Sequence, residues 1–201
     1  MLLTPPDPNP AVGRSDEADV THSLRADARR NRARILDTAR AQIIEHGPNV
    51  GMSEIANAAG LAVGTLYRHF PTKTHLVEAV ITEQIERLVD AAEAACARVE
   101  TGSAASEELL VFMRGVIETA ADNGALKVAA QALGTEFTCP PAAVRGTAAL
   151  RKIIAAGQES GSVREDLTAT DLYLLVATGP LDHPRQTRER WLELIRPGLL
   201  S

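Results

Sequence analysis

From about Leu24 onward, apolar residues recur at three- and four-residue steps, the spacing of one helix face. Ile35, Leu36, Ala39, Ile43 and Ile44 form the first such face, and Gly47-Pro48 ends it. Met52 to Ala59 is a short helix with Ile55, Ala56 and Ala59 inward. A helix starting near Val63 turns Leu66 and Phe70 to the same side, with Leu61 pointing inward ahead of it, and Pro71 stops it. From Lys73 to about Arg98 a long stripe carries Leu76, Val77, Val80, Ile81, Ile85, Leu88, Val89 and Ala92, until Gly102 breaks it. The segment Ala105–Asp122 is apolar almost all round, through Leu109, Leu110, Val111, Phe112, Met113, Val116 and Ile117, which predicts a central, buried helix.

The remaining pattern is also helical. A short helix over 125–136 precedes the break Thr138-Cys139-Pro140-Pro141. Ala142–Glu159 follows with Val144, Ala148, Ile153 and Ile154 expected inward. Thr168-x-x-Asp171 resembles a capping box and opens a helix holding Leu172, Leu174, Leu175 and Val176. Gly179-Pro180 stops it, and Pro184 starts a last helix with Trp191, Leu192, Leu194 and Ile195. No strand pattern and no internal repeat occurs, so the fold class is all-α.

One stretch carries the candidate chemistry. In Ala59-Gly60-Leu61-Ala62-Val63-Gly64-Thr65-Leu66-Tyr67-Arg68-His69-Phe70-Pro71-Thr72-Lys73, burying Leu66 and Phe70 leaves Thr65, Tyr67, Arg68 and His69 for solvent or a partner. Helix, glycine turn, helix is the helix-turn-helix unit, whose second helix can enter a major groove and read base edges. A purely structural hairpin would rarely gather Tyr67, Arg68, His69 and Lys73 on one outer face.

Charge sharpens this. The net charge of -5 is unusual for a DNA binder. Divided along the chain, residues 1–20 carry one Arg and four acids, residues 21–73 eight Lys/Arg and four acids, and residues 74–201 twelve and eighteen. The segment holding the helix-turn-helix is therefore +4 on an otherwise acidic chain, so it can meet phosphates by itself. Arg25, Arg29, Arg30, Arg32 and Arg34 at its start are candidates for phosphate contact, whereas Arg40 reads as a solvated helix face. Residues 1–23, proline-rich and without periodicity, read as a disordered tail.

Ile55-Ala56, Ala59-Gly60-Leu61 and above all Gly64-Thr65-Leu66-Tyr67-Arg68-His69-Phe70-Pro71-Thr72-Lys73 resemble the DNA-binding head of TetR-family transcriptional regulators, over about Ala33 to Ile81. The resemblance implies a three-helix DNA-binding head over 24–82, including the start of the linker helix, and a six-helix ligand-binding and dimerisation body over 83–201. It implies a ligand-responsive repressor that binds a double-stranded palindromic operator as a homodimer. Tyr67, His69 and Lys73 match positions where the family touches phosphates, and Val63, Gly64, Thr65 and Arg68 lie where base edges are read or approached. For Arg68 a bidentate guanine contact and a phosphate contact stand side by side. The last two helices would pair across a two-fold axis, with Leu172, Leu175, Val176, Trp191, Leu192 and Ile195 as candidate interface residues or, alternatively, intramolecular core. Two departures from the pattern are Gly51 and Ala62, where hydroxyl caps are common, although backbone N–H groups at those helix starts can still meet phosphate. They are the only support for the alternative of a helical ligand-binding or adaptor protein that has lost DNA binding.

The effector is an unknown small molecule. Family pockets lie between the linker helix and the helices after it, where Phe112, Met113, Arg114, Glu118, Phe137 and Cys139 are candidates, although each fits core or surface as well. Aromatics at 3% point to an aliphatic lining. An enzyme finds no support: the serines lie in no GxSxG, no GxGxxG follows a strand, and the five histidines are scattered. Cys96 and Cys139, 43 apart with no CxxC, give no metal site, and no cofactor is expected. No run of 18 apolar residues and no secretory leader pattern at Met1–Pro5 occurs, so a cytoplasmic protein with no membrane partner is expected.

Overall fold

The computed structural model describes residues 14–134 and 142–201, and within these every regular element but one short bridge is helical. The α-helices are α1 (Arg14–His46), α2 (Met52–Ala58), α3 (Val63–His69), α4 (Lys73–Glu100), α5 (Ala105–Asp122), α6 (Gly124–Ala132), α7 (Ala142–Glu159), α8 (Ala169–Thr178) and α9 (Arg185–Ile195). Helix α1 starts at Arg14, ten residues ahead of Leu24, so the segment 14–23 assigned to a disordered tail is helical backbone. Residues 1–13 of that tail, and the Thr138–Pro141 break with Phe137 and Cys139, lie outside the described residues.

Two apolar clusters organise the chain. The first joins Ile35, Leu36, Ala39 and Ile43 of α1 to Ile55 of α2, Leu66 of α3, Phe70, and Leu76, Val77 and Val80 of α4. It also takes in Leu126, Ala129 and Ala130 of α6. Helix α6, expected among six body helices, thus buries its apolar face in the head. The second cluster gathers Ala92 and Ala95 of α4, Leu109, Met113 and Ile117 of α5, Ile153 and Ile154 of α7, Leu172 of α8 and Leu192 of α9. Helix α4 runs through both clusters, so it connects the end of α3 to the body as one continuous helix. Arg40 adds a second link: its guanidinium reaches Asp122 at the end of α5 at 2.7 Å, so Arg40 is a junction residue and not a solvated face.

Several inward assignments shift. Val144 is 72% exposed and Ala148 is exposed, because α7 presents Ala149 and Gly157 to the core beside Ile153 and Ile154, which are buried as expected. Gly157 has no room for a side chain: a Cβ there would meet Val163 Cγ2 at 2.4 Å. That closeness holds the Gly161–Arg164 loop against α7, where Val163 forms an isolated antiparallel bridge with Leu200. Helix α5 is not buried all round: Leu109, Met113 and Ile117 face inward while Val111 is 58% exposed. Leu172 and Leu192, offered as interface residues, are core, since each faces α5. Leu175, Val176, Trp191 and Ile195 are half-buried against the same cluster. The outward apolar surface of α8 and α9 is instead Tyr173, Leu174 and Leu194.

Candidate nucleic-acid interface

The turn between α2 and α3 is built by Gly60, whose φ of +66° is open to glycine at little cost. That conformation lets the Leu61 N–H donate to the Ala56 carbonyl at 2.9 Å and the Gly60 N–H to the Asn57 carbonyl at 3.0 Å. These two bonds are the Schellman closure of α2, and Leu61 then packs against the head core. Helix α3 has Ala62 as its N-cap, with no side-chain cap, and is held by the Thr65 N–H donating to the Ala62 carbonyl at 2.8 Å. Leu66, fully buried, and Phe70, 2% exposed, pin its inner side.

The outer side is what the sequence left free. Gly64, Tyr67 and Arg68 are exposed, and Val63, Thr65 and His69 are partly so. Arg68 Nη2 donates to Thr65 Oγ1 at 3.0 Å, one turn back along the helix. This bond lays the guanidinium along α3 beside Thr65 and limits its rotamers before any ligand arrives.

Lys73 is placed differently from the rest. Its ammonium donates to the Pro48 carbonyl, tying the start of α4 to the α1–α2 turn. Partial burial lowers its pKa from the ordinary lysine value, with nearby Glu54 opposing the shift. Lys73→Met should remove that tie and cost about 1.5 kcal/mol, the low end for a hydrogen bond to a charged group. Thermal unfolding would reveal it, and an unchanged midpoint would leave the bond without structural weight.

Some functional geometry was missed in the sequence. Thr72 caps α4, its Oγ1 accepting the His75 N–H at 3.2 Å, and the Pro71-Thr72 pair before Lys73 was the available signal. Arg32 lies over the Phe70 ring, 4.9 Å from its centroid, which puts that cation beside the end of α3. No local spacing reports this contact. Arg30 pairs with Asp27 and Arg34 donates to Asn31 at 3.2 Å, so both remain on the exposed face of α1. The Arg25 side chain lies outside the described residues. At α2 the Gly51 N–H donates to Glu54 Oε2 at 2.6 Å, so this N–H is already occupied by a carboxylate.

The body contains a separate cavity of about 470 Å³ between α4, α5, α7 and α8. Phe112 and Met113 line it, as the sequence suggested; Arg114 and Glu118 do not. Glu118 is instead held by Arg188 of α9, at 2.6 and 3.3 Å. Among the described residues no helix is long and apolar enough to cross a membrane.

Comparison with known proteins agrees with this architecture in both halves. Residues 35–80 match the family of bacterial regulatory proteins of the tetR type, and residues 104–201 match the C-terminal domain of SbtR-like transcriptional regulators. A TetR transcription regulatory protein from Mycobacterium vanbaalenii is 37% identical, with 89% of this chain and 99% of that one superposed at a TM-score of 0.73. A TetR transcriptional regulator from Streptomyces coelicolor is 28% identical, over 85% of this chain and 98% of that one, at a TM-score of 0.70. Among curated proteins, an HTH-type transcriptional regulator of Staphylococcus aureus is 39% identical over 67 residues, 32% of this chain. The match spans only about a third, 35%, of that relative's length.

Proposed function

The chain belongs to the TetR family of transcriptional regulators, and from that membership we propose that it is a repressor that holds a palindromic operator as a homodimer and releases it when a small molecule enters the body. The observation that carries this reading is the outer face of α3, where Arg68 is laid against Thr65 on a helix whose other side is fixed by Leu66 and Phe70. In this reading Val63, Gly64, Thr65 and Arg68 approach base edges, and Tyr67 and His69 contact phosphate. Lys73 keeps donors beyond the one given to Pro48 and adds a further phosphate contact. The exposed arginines of α1 raise the local positive charge on that side.

A single head has too small a footprint for tight specific binding. Two heads must reach major grooves about 34–36 Å apart, or a multiple of that spacing. The exposed Tyr173, Leu174 and Leu194 on the last two helices supply an apolar surface for the second copy. The effector enters the cavity beside α4, and it must bind the released form better than the DNA-bound form to shift anything. Such a regulator works in the cytoplasm, where its operator is.

Selection of random DNA by the purified protein tests the reading. It should return a palindrome, and the Arg68→Ala variant should return the same palindrome relaxed at one base pair per half-site, by about 1–3 kcal/mol. A uniform loss across all sites would reassign Arg68 to phosphate. A return of unrelated sequences would reject the repressor reading.

A further inference from the structure

We infer that the cavity between α4, α5, α7 and α8 takes a monocarboxylate with an aliphatic body, and that Arg151 is the residue that recognises its charge. The inference rests on the ligand-responsive reading above and adds the ligand's chemical class.

The cavity walls decide most of this. Leu88, Val89, Met113 and Leu172 are among the aliphatic side chains forming its inner surface. At about 470 Å³ it lies within the usual range for small-molecule sites, roughly 300–1,000 Å³. An inner surface of this kind rewards a hydrocarbon and penalises any buried polar group that finds no partner. The ligand's polar end therefore has to stay at the mouth.

Among the described residues, charge at that mouth has one sign. Arg151 is the only charged side chain among the described lining residues, and it is exposed. Four other body arginines are committed to acids, Arg98 to Glu108, Arg145 to Glu93, Arg164 to Asp166 and Arg188 to Glu118, and Arg114 and Arg196, which have no acidic partner among the described residues, do not line the cavity. Among the described residues Arg151 has no acidic partner. The hydroxyl of Thr147, one turn before it, is already used, donating to the Ala143 carbonyl at 2.9 Å. The guanidinium fork matches a carboxylate with two parallel bonds. One guanidinium balances one negative charge, so a dianion would keep a charge uncompensated beside an apolar wall. A cationic ligand would meet repulsion, and a neutral one would gain only a weaker, single hydrogen bond from Arg151.

Calorimetric titration of the full-length protein with decanoate, decanol and decylamine tests this without DNA. Decanoate should bind about two- to fivefold more tightly than decanol, the modest gain reflecting a solvent-screened guanidinium, and decylamine should bind worst. Arg151→Gln should abolish the preference for decanoate and leave decanol affinity unchanged. The exposed, unpaired position of Arg151 means that this variant folds normally, which its melting temperature verifies. Thr147→Trp, which fills the mouth, should remove binding of decanoate and decanol alike and so place both in this cavity. Binding of decanol as tight as that of decanoate, a best fit for decylamine, an equal loss of both ligands in Arg151→Gln, or no binding of any of the three would overturn the inference. Release of operator DNA by decanoate is measured separately. Charge-selective binding without release would sustain the ligand class and count against the ligand-responsive reading.

Discussion

Glu118→Gln should destabilise the body by about 3 kcal/mol, which for a chain of this size lowers the melting temperature by about 6–12 °C. The reason is the fate of Arg188. Its side chain is only 11% exposed, and Glu118 meets Nη2 at 2.6 Å and Nε at 3.3 Å while Nη1 is held by the His183 carbonyl at 2.6 Å. An amide keeps the shape of Glu118 but leaves a largely buried guanidinium without its counter-charge. The estimate sits at the low end for a broken buried pair because Glu118 is still 30% exposed. Replacing both partners, Glu118→Leu with Arg188→Met, should recover most of the loss, since no unpaired charge remains. The two charged hydrogen bonds from Arg188 hold the Glu118 carboxyl below the ordinary carboxylate range. A carboxylate with a lowered folded pKa contributes fully at neutral pH, and its contribution disappears as pH falls through that lowered value. The stability gap between wild type and Glu118→Gln should therefore be complete at neutral pH and close in acid. Urea unfolding across that range measures it, and a gap that persisted in acid would show that the cost is packing and not charge.

This pair also marks the limit of what the sequence disclosed. Glu118 and Arg188 lie 70 residues apart, and each alone looks like an ordinary surface charge. The head was legible because its determinants are local: Gly60 fixes a turn, and Leu66 and Phe70 sit four apart on one face. The body was legible as helices but not as faces. In α7, Ala142, Ala143, Gly146, Ala148 and Ala149 are all small, so periodicity does not tell which side meets α4. The structure decides it by the approach of Val89, whose Cγ2 would lie 3.2 Å from a Cβ at Gly146. In α8 the run Leu172-Tyr173-Leu174-Leu175-Val176 is apolar on every side, and only the packing against α5 and α7 selects Leu172 as core. The cavity draws on four helices, and Arg151, the one charged residue among its described lining, had no motif to announce it.

Phe70→Ala should cost about 3–5 kcal/mol in the head and remove operator binding while the body stays folded. Phe70 is 2% exposed, its N–H donates to the Leu66 carbonyl at 2.8 Å, and its ring closes the head core just after α3. A loss of that size is a large share of the stability of a small helical unit, so α3 would spend much of its time unanchored. The body has its own cluster around Leu109, Met113 and Ile153, which Phe70 does not touch. Hydrogen exchange should therefore rise in α2 and α3 and stay slow in α5 and α7. Phe70→Leu, which keeps most of the volume, should retain most of the binding. Arg32→Ala separates the ring from the cation above it: stability should fall by only about 0.5–1 kcal/mol. The salt dependence of operator binding should flatten by about one unit where that guanidinium also reaches phosphate. Wild-type operator affinity in Phe70→Ala would mean that α3 does not read the DNA, whatever its outer face carries.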